Sequence, residues 1–98
     1  MYWDVKFVEP LTDYRIYVEI ANGEKGIFDL KPYLDRGVFR ELRNVDYFNQ
    51  VHILFGAVTW PNEQDIAPET LLAEMTPIGS AVSVTASAGD YRDENQSA

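Results

Sequence analysis

The amino-acid sequence predicts a small α+β domain: an N-terminal three-stranded antiparallel β-meander, then short helices, a second β-hairpin and a C-terminal helix. Three observations support this fold class. Apolar and polar residues alternate with a period of two over most of the first thirty residues. An Asn-Gly pair separates two of these runs, and Asn-Gly is a strong hairpin signal. A segment with helical spacing follows, and then a β-branched run interrupted by a glycine.

The meander is predicted strand by strand from these alternating runs. In the first strand the alternating apolar residues are Trp3, Val5 and Phe7. In the second strand they are Tyr14, Ile16, Val18 and Ile20. Asn22-Gly23 then predicts a type I′ turn, which requires positive φ at both central residues. The third strand is expected over residues 26–30.

The middle of the chain predicts short helices and a second hairpin. Val38, Phe39 and Leu42 are expected on the buried face of one helix. Asp46 is a plausible N-cap for the one-turn helix that follows. Residues 51–55 and 57–60 are expected to pair around a tight turn at position 56. The last helix is expected over residues 68–75, since it begins with proline and has a glutamate in its first turn.

Ninety-eight residues fit a single domain, which we assign to residues 1–77. Residues 78–98 are expected to be a weakly structured or disordered tail, because small and polar residues dominate there. The chain has no cysteine, which fits a reducing cytoplasm and excludes thiolate metal sites. We therefore expect a cytoplasmic protein, without a signal peptide or a membrane span.

The charge distribution argues against nucleic acid as a partner. The formal net charge is −8, and residues 45–98 contain eight acids and one base. Such a protein is repelled by phosphate backbones at long range. The first 44 residues are nearly balanced, with eight acids and seven bases. A local basic patch therefore remains an option there.

Two groups of residues are candidates for partner binding. Arg36, Arg40 and Arg43 fall near one helical face and could contact phosphate or an acidic protein surface. A solvated helix face explains the same pattern. Tyr17 is expected on the outer face of the meander with Val8 and Ile27, where a solvated sheet should be more polar. Such a face predicts self-association, most simply as a homodimer.

The loop between Trp60 and Glu69 is the candidate for ligand binding, with Trp60 and Asn62 as the contacts. Acidic residues near it are Glu63, Asp65 and Glu69. Their spacing matches no calcium loop, so a solvated loop explains them and no metal site is predicted. His52, the only histidine, is expected to be a solvent-facing strand residue rather than a general base. No catalytic residue or cofactor is predicted.

Several short motifs keep a common order along residues 2–75: Trp3-Asp4-Val5, Asn22-Gly23-Glu24, Phe28-Asp29-Leu30, Gly37-Val38-Phe39, Phe55-Gly56 and Trp60-Pro61-Asn62. This order resembles the bacterial family catalogued as domain of unknown function 2442. That family usually has Trp-Pro-Asn-Gly where this chain has Glu63 after Asn62. The resemblance implies a small α+β fold built on a meander, with no assigned activity. It also implies a regulatory or toxin–antitoxin-like setting beside a second small protein.

Together these observations favour a non-enzymatic interaction or regulatory module with a small protein partner, a second copy of itself, or both. A small enzyme or ligand-binding protein using the Trp60–Glu69 loop is one alternative. A nucleic-acid-associated accessory protein using the arginine face is the other. A pocket in which His52 meets a carboxylate would indicate the former. A continuous positive patch around the three arginines would indicate the latter.

Overall fold

The computed structural model describes residues 3–78, and its elements follow the predicted order. The strands are β1 (Val5–Pro10), β2 (Arg15–Ile20), β3 (Lys25–Asp29), β4 (His52–Leu54), β5 (Ala57–Thr59), β6 (Asp65–Ile66) and β7 (Thr76–Pro77). The helices are two 3-10 helices, Lys31–Tyr33 and Gly37–Arg43, and two α-helices, α1 (Val45–Phe48) and α2 (Pro68–Glu74). The predicted tail, residues 78–98, lies outside the described residues apart from Ile78.

The first sheet confirms the predicted meander and adds a strand to it. Its order is β1-β2-β3-β7, and all neighbouring strands are antiparallel. Strand β7 pairs with β3 through Gly26 and Pro77, and Ile78 N–H donates to the Lys25 carbonyl at 3.0 Å. The sequence did not predict this strand, which follows α2 after a single residue, Met75.

A β-bulge in β1 changes which residues face the core. Val5 pairs with Ile20, but Phe7 pairs with Glu19 and Val8 with Val18, so the register shifts between positions 5 and 7. The extra residue moves Val8 to the core face and Phe7 to the outer face. The prediction that Phe7 shares a face with Val5, and Val8 with Tyr17, was therefore wrong. Strict alternation holds only in a strand without a bulge.

The Asn22-Gly23 turn forms, but it is not type I′. Gly23 has φ +97, whereas Asn22 is not among the residues with positive φ. Gly23 N–H donates to the Ile20 carbonyl at 2.9 Å, and Ile20 N–H donates to the Glu24 carbonyl at 2.8 Å. This is the three-residue hairpin loop in which a turn is followed by one left-handed residue. The predicted hairpin is confirmed and its predicted turn type is corrected.

The predicted helix over Val38–Leu42 is a 3-10 helix, and its periodicity explains an exposed valine. With three residues per turn, Phe39 and Leu42 share one face, and both contact the core. Val38 lies on another face and is 67% exposed, so its predicted burial was wrong. The following helix α1 is capped by Asn44, whose side chain accepts a hydrogen bond from Tyr47 N–H at 3.2 Å, and not by Asp46.

The second sheet contains the predicted hairpin β4–β5 and a strand that the sequence did not predict. Its order is β4-β5-β6, with Val58 paired to Ile53 on one side and to Ile66 on the other. Strand β6 has only two residues, too few to show an alternating pattern. It belongs to the sheet because the turn after β5 returns the chain beside it.

Both sheets contribute their inner faces to one hydrophobic core. The fully buried side chains are Ile16, Val18, Ile20, Phe28, Leu30, Leu42, Phe48, Val58, Trp60 and Leu71. These come from both sheets, the 3-10 segment, α1 and α2, so the core joins every layer of the domain. Each sheet turns its other face outward. Within residues 3–78, no helix is long and apolar enough to cross a membrane.

Gly26 should not tolerate a larger side chain. A Cβ atom there would lie 2.8 Å from the Thr76 carbonyl oxygen and 2.7 Å from Met75 Sδ. The carbonyl belongs to the backbone of β7, so the Gly26→Ala variant must push the edge strand away. We expect the free energy of unfolding to fall by about 1–3 kcal/mol in urea denaturation. Lys25→Ala, an exposed change in the same strand, is the control, and an unchanged Gly26→Ala midpoint would contradict the predicted contact.

Candidate functional site

The three predicted partner-binding arginines lie at the surface, but two of them are engaged within the chain. The Arg36 guanidinium stacks 4.9 Å above the centre of the Tyr33 ring. Arg43 forms an ion pair with Asp35, and its Nε donates to the Leu34 carbonyl at 3.0 Å. Among the described residues, Arg40 alone of the three makes no such contact. Arg36 keeps its charge while it stacks on Tyr33, Arg43 is paired with Asp35, and Arg40 is the guanidinium without such a contact in residues 3–78.

Trp60, predicted to contact a ligand, lies in the core. Its side chain is fully buried, and its Nε1–H donates to the Phe48 carbonyl at 2.9 Å. The indole also packs against the Phe48 ring, with 6.0 Å between centroids. Trp60 therefore fixes the start of the following turn to α1 and presents no surface to solvent.

Asn62, the other predicted ligand contact, is exposed but held by its neighbours. Its Nδ2 donates to both carboxylate oxygens of Glu41, at 2.9 and 2.7 Å. Its backbone N–H donates to the Tyr47 hydroxyl at 2.8 Å. These contacts tie the turn after β5 to the second 3-10 helix and to α1. Within the described structure, Asn62 therefore connects three elements of the chain by hydrogen bonds.

Gln64 and Tyr47 complete this network, and sequence reasoning missed both. Gln64 is buried, and its Oε1 accepts a hydrogen bond from the Tyr47 hydroxyl at 2.6 Å. Its Nε2 donates to the Val38 carbonyl at 2.9 Å and to Glu41 Oε1 at 3.0 Å. The partners lie 17 to 26 residues away in sequence, so no local pattern marks Gln64. A buried amide with all these bonds is a structural feature, because its polar groups are satisfied.

The turn at residues 60–64 keeps a tight conformation although it lacks glycine. Glu63 N–H donates to the Trp60 carbonyl at 2.9 Å, and Trp60 N–H donates to the Gln64 carbonyl at 2.9 Å. These bonds repeat the pattern of the turn at Gly23. Glu63 occupies the left-handed position with φ +75, where Gly23 has φ +97 in the first sheet. Glutamate is strained in this conformation and glycine is not.

The outer face of the first sheet carries an aromatic cluster that includes Tyr17. The Phe7 and Tyr17 rings meet edge to face with centroids 6.0 Å apart, and Ile27 pairs with Tyr17 on the next strand. Phe7 is 44% exposed, and Tyr17 and Ile27 are half-buried. The Tyr17 hydroxyl donates to Glu19 Oε2 at 2.7 Å, and this hydrogen bond raises the pKa of the Tyr17 phenol above its ordinary value.

The hairpin β4–β5 holds the type I′ conformation at its tip. Phe55 has φ +52 and Gly56 φ +77, both left-handed. A Cβ at Gly56 would lie 2.5 Å from Asp4 Cγ, so the glycine is needed for close packing as well. Phe55 is 96% exposed. An aromatic residue is unusual in a left-handed turn and at this exposure.

The outward face of the second sheet forms an open groove. It is lined by Leu54, Phe55, Ala57, Thr59, Glu63 and Asp65. Cross-strand pairing places Leu54 opposite Ala57, and Thr59 opposite Asp65, so these residues share one face. Apolar side chains occupy the end at the β4–β5 turn, and carboxylates occupy the other end.

His52 does not meet a carboxylate in the described structure. It is exposed at the start of β4, and its Nδ1 lies 3.1 Å from the Gln50 carbonyl oxygen. Within residues 3–78, no cluster of three or more histidine, aspartate or glutamate residues is placed to hold a metal ion. The acidic residues Glu63, Asp65 and Glu69 are all exposed.

Removing the Tyr47 hydroxyl should destabilise the domain. Tyr47→Phe leaves two groups without this partner: the side-chain Oε1 of the buried Gln64 and the backbone N–H of Asn62. We expect the free energy of unfolding to fall by about 1–3 kcal/mol. Tyr17→Phe is the matched control, since its hydroxyl bonds only to the surface residue Glu19. Equal urea midpoints for the two variants would show that the network does not hold the turn.

Replacing Glu63 by glycine should stabilise the domain. The change removes left-handed strain of about 1 kcal/mol, partly offset by the greater freedom of glycine in the unfolded chain. We expect a net gain of about 0.5 kcal/mol, measured as a higher melting temperature. Glu63→Ala keeps the strain and serves as the control. A Glu63→Gly melting temperature no higher than that of Glu63→Ala would contradict the assigned strain.

A comparison with known protein families assigns the chain to one of them. The model of the family described as "Protein of unknown function (DUF2442)" matches residues 5–77, which span the two sheets and the helices between them. No curated protein and no solved structure matches the chain. The match covers most of the 98 residues, so the chain belongs to the DUF2442 family.

Proposed function

We propose that this chain is a non-enzymatic protein-interaction module that self-associates through the outer face of its first sheet. The observation that carries the proposal is the cluster of Phe7, Tyr17 and Ile27 at the centre of that face. An antiparallel sheet with one solvated face is normally polar on that face. Here two aromatic rings and an isoleucine lie together with no described element packed over them, which favours burial against another molecule.

The charges around this cluster favour a second copy of the chain as the occupant. Arg15 and Asp29 flank the cluster at one end, and Glu19 and Lys25 flank it at the other. Because each end carries both signs, a copy related by a twofold axis can set its bases against the acids of its partner. A twofold interface uses the same patch on both subunits, and this is the commonest oligomer symmetry.

The size of the cluster predicts a weak dimer. Three partly exposed side chains offer a few hundred Å² of apolar surface, less than the roughly 800 Å² per partner of a standard stable interface. Burial of such an area contributes several kcal/mol, and the loss of rigid-body freedom offsets much of it. Association in the micromolar range is the expectation.

The regulatory, toxin–antitoxin-like pairing with a second small protein is part of the proposal, as an expectation that the family resemblance implies. Arg36, Arg40 and Arg43 are the proposed contacts for such a partner. Arg40 is the most available of them, because Arg36 stacks on Tyr33 and Arg43 pairs with Asp35. Co-expression with the product of the neighbouring gene, followed by affinity purification of the wild type and of Arg40→Ala, tests this part. If the wild type and Arg40→Ala retain the same amount of a second protein, Arg40 is not a contact for that partner.

The self-association proposal is tested by sedimentation equilibrium at tens of micromolar protein. We expect a reversible monomer–dimer equilibrium for the wild type and a monomer for Tyr17→Glu, which puts a charge at the centre of the face. Val45→Glu is the matched control, because it adds the same charge at an exposed position of α1. A wild-type monomer mass at every concentration, or a dimer that Tyr17→Glu leaves unchanged, would overturn the proposal.

A further inference from the structure

A second surface, distinct from the outer face of the first sheet, has the chemistry of a binding site. It is the groove on the outward face of the second sheet, lined by Leu54, Phe55, Ala57, Thr59, Glu63 and Asp65. We propose that this groove binds a basic segment of a partner protein, with an apolar side chain of the segment packed against Phe55. The proposal rests on the role of the chain as an interaction module and adds the place and chemistry of a second partner.

The backbone conformation at the apolar end of the groove leaves its side chains exposed to solvent. The left-handed conformation of Phe55 and Gly56 closes the β4–β5 hairpin and leaves Phe55 96% exposed. Leu54, the preceding residue, is 48% exposed on the outward face of β4. Aromatic side chains with this exposure are typical anchors of protein interfaces, since one ring buries a large area with few rotatable bonds.

The acidic end supplies the charge complementarity that selects the occupant. Glu63 and Asp65 are exposed, and neither carboxylate has a hydrogen bond or ion pair with a base in residues 3–78. Between Asn44 and Ile78 the sequence contains five acids and no lysine or arginine. Among residues 3–78 no base forms an ion pair with either carboxylate, so their negative charge is available to a partner. It attracts lysine and arginine side chains of an approaching protein.

The same charges exclude the other large classes of partner at this surface. Nucleic acids and anionic membranes present phosphates, which the carboxylates at the groove repel. A protein segment with basic residues beside an apolar residue satisfies both ends of the groove at once. Within the groove, the floor is formed by Ala57 and Thr59, whose small side chains leave room above the strands.

Peptide selection on the full chain tests the proposal. Random peptides displayed on phage are selected against the immobilised protein, and the enriched peptides are synthesised and titrated by fluorescence anisotropy. We expect the enriched peptides to combine lysine or arginine with a large apolar residue, and their affinity to fall as salt rises. Glu63→Gln with Asp65→Asn should weaken binding several-fold.

Two variants of Phe55 separate the anchor from the fold. Phe55→Ala should lower the affinity of the domain for the enriched peptides about tenfold. Phe55→Asn should lower this affinity equally. It should also raise the melting temperature of the domain, because Asn-Gly is the preferred sequence of a type I′ turn. Val38→Ala, at another exposed apolar position, is the matched control and should leave the affinity unchanged.

The outcomes that overturn the proposal are distinct from those that test self-association. Enrichment of peptides without basic residues, no enrichment over the bare support, or binding that both Phe55 variants leave unchanged would each overturn it. Phe55→Ala should leave the sedimentation mass unchanged, and Tyr17→Glu should leave peptide affinity unchanged. If Phe55→Ala instead turned a dimer into a monomer, the groove would be a contact between copies and the proposed basic partner would be wrong.

Discussion

The central constraint on this domain is that two small sheets share one core. Neither the four-stranded nor the three-stranded sheet has helices on both faces, and small isolated sheets and hairpins are marginal in water. Each sheet therefore buries one face against the other layers, through residues such as Ile16 and Phe28 in the first and Val58 in the second. The short helices fill the remaining sides of that core. What remains outward is one whole face of each sheet, and both proposed interaction surfaces lie there.

Polar side chains connect the second sheet to the helical segment by hydrogen bonds, and these bonds satisfy the polar groups that the packing buries. Trp60 enters the core and bonds to the carbonyl of Phe48, which leaves the turn after β5 beside α1. The polar groups brought inward by that turn then find partners in Tyr47, Gln64 and Glu41. Trp60 and Asn62, the candidate ligand contacts, thus connect elements of the fold. Their hydrogen bonds join the turn after β5 to α1 and to the second 3-10 helix.

The left-handed turn positions of the domain differ in whether the residue there suits that backbone conformation. The turns at Gly23 and Glu63 share the same hydrogen-bond pattern, yet only one has the residue that suits its left-handed position. Phe55 holds a left-handed position as well, without any packing that would compensate for it, since its ring is almost wholly in solvent. Strain of this kind persists when the surrounding structure imposes it, and it is often found near functional surfaces. Here it coincides with the exposed aromatic of the second-sheet groove.

The sequence by itself determined the α+β class, the meander, the second hairpin and the helix from Pro68, because each rests on a periodicity or turn signal within a few residues. It did not determine that Phe7 and Val8 exchange faces, since a bulge depends on the pairing of β1 with β2. Nor did it predict β6 and β7, two-residue strands that exist only because a neighbouring strand offers hydrogen bonds. Among the candidate site residues, Tyr17 lies on the predicted outer face, whereas Trp60 is buried and two arginines are engaged. The groove at Phe55 was decided by tertiary structure alone: Leu54, Glu63 and Asp65 are brought together only when β6 folds beside β5, a contact across a turn that no local pattern encodes.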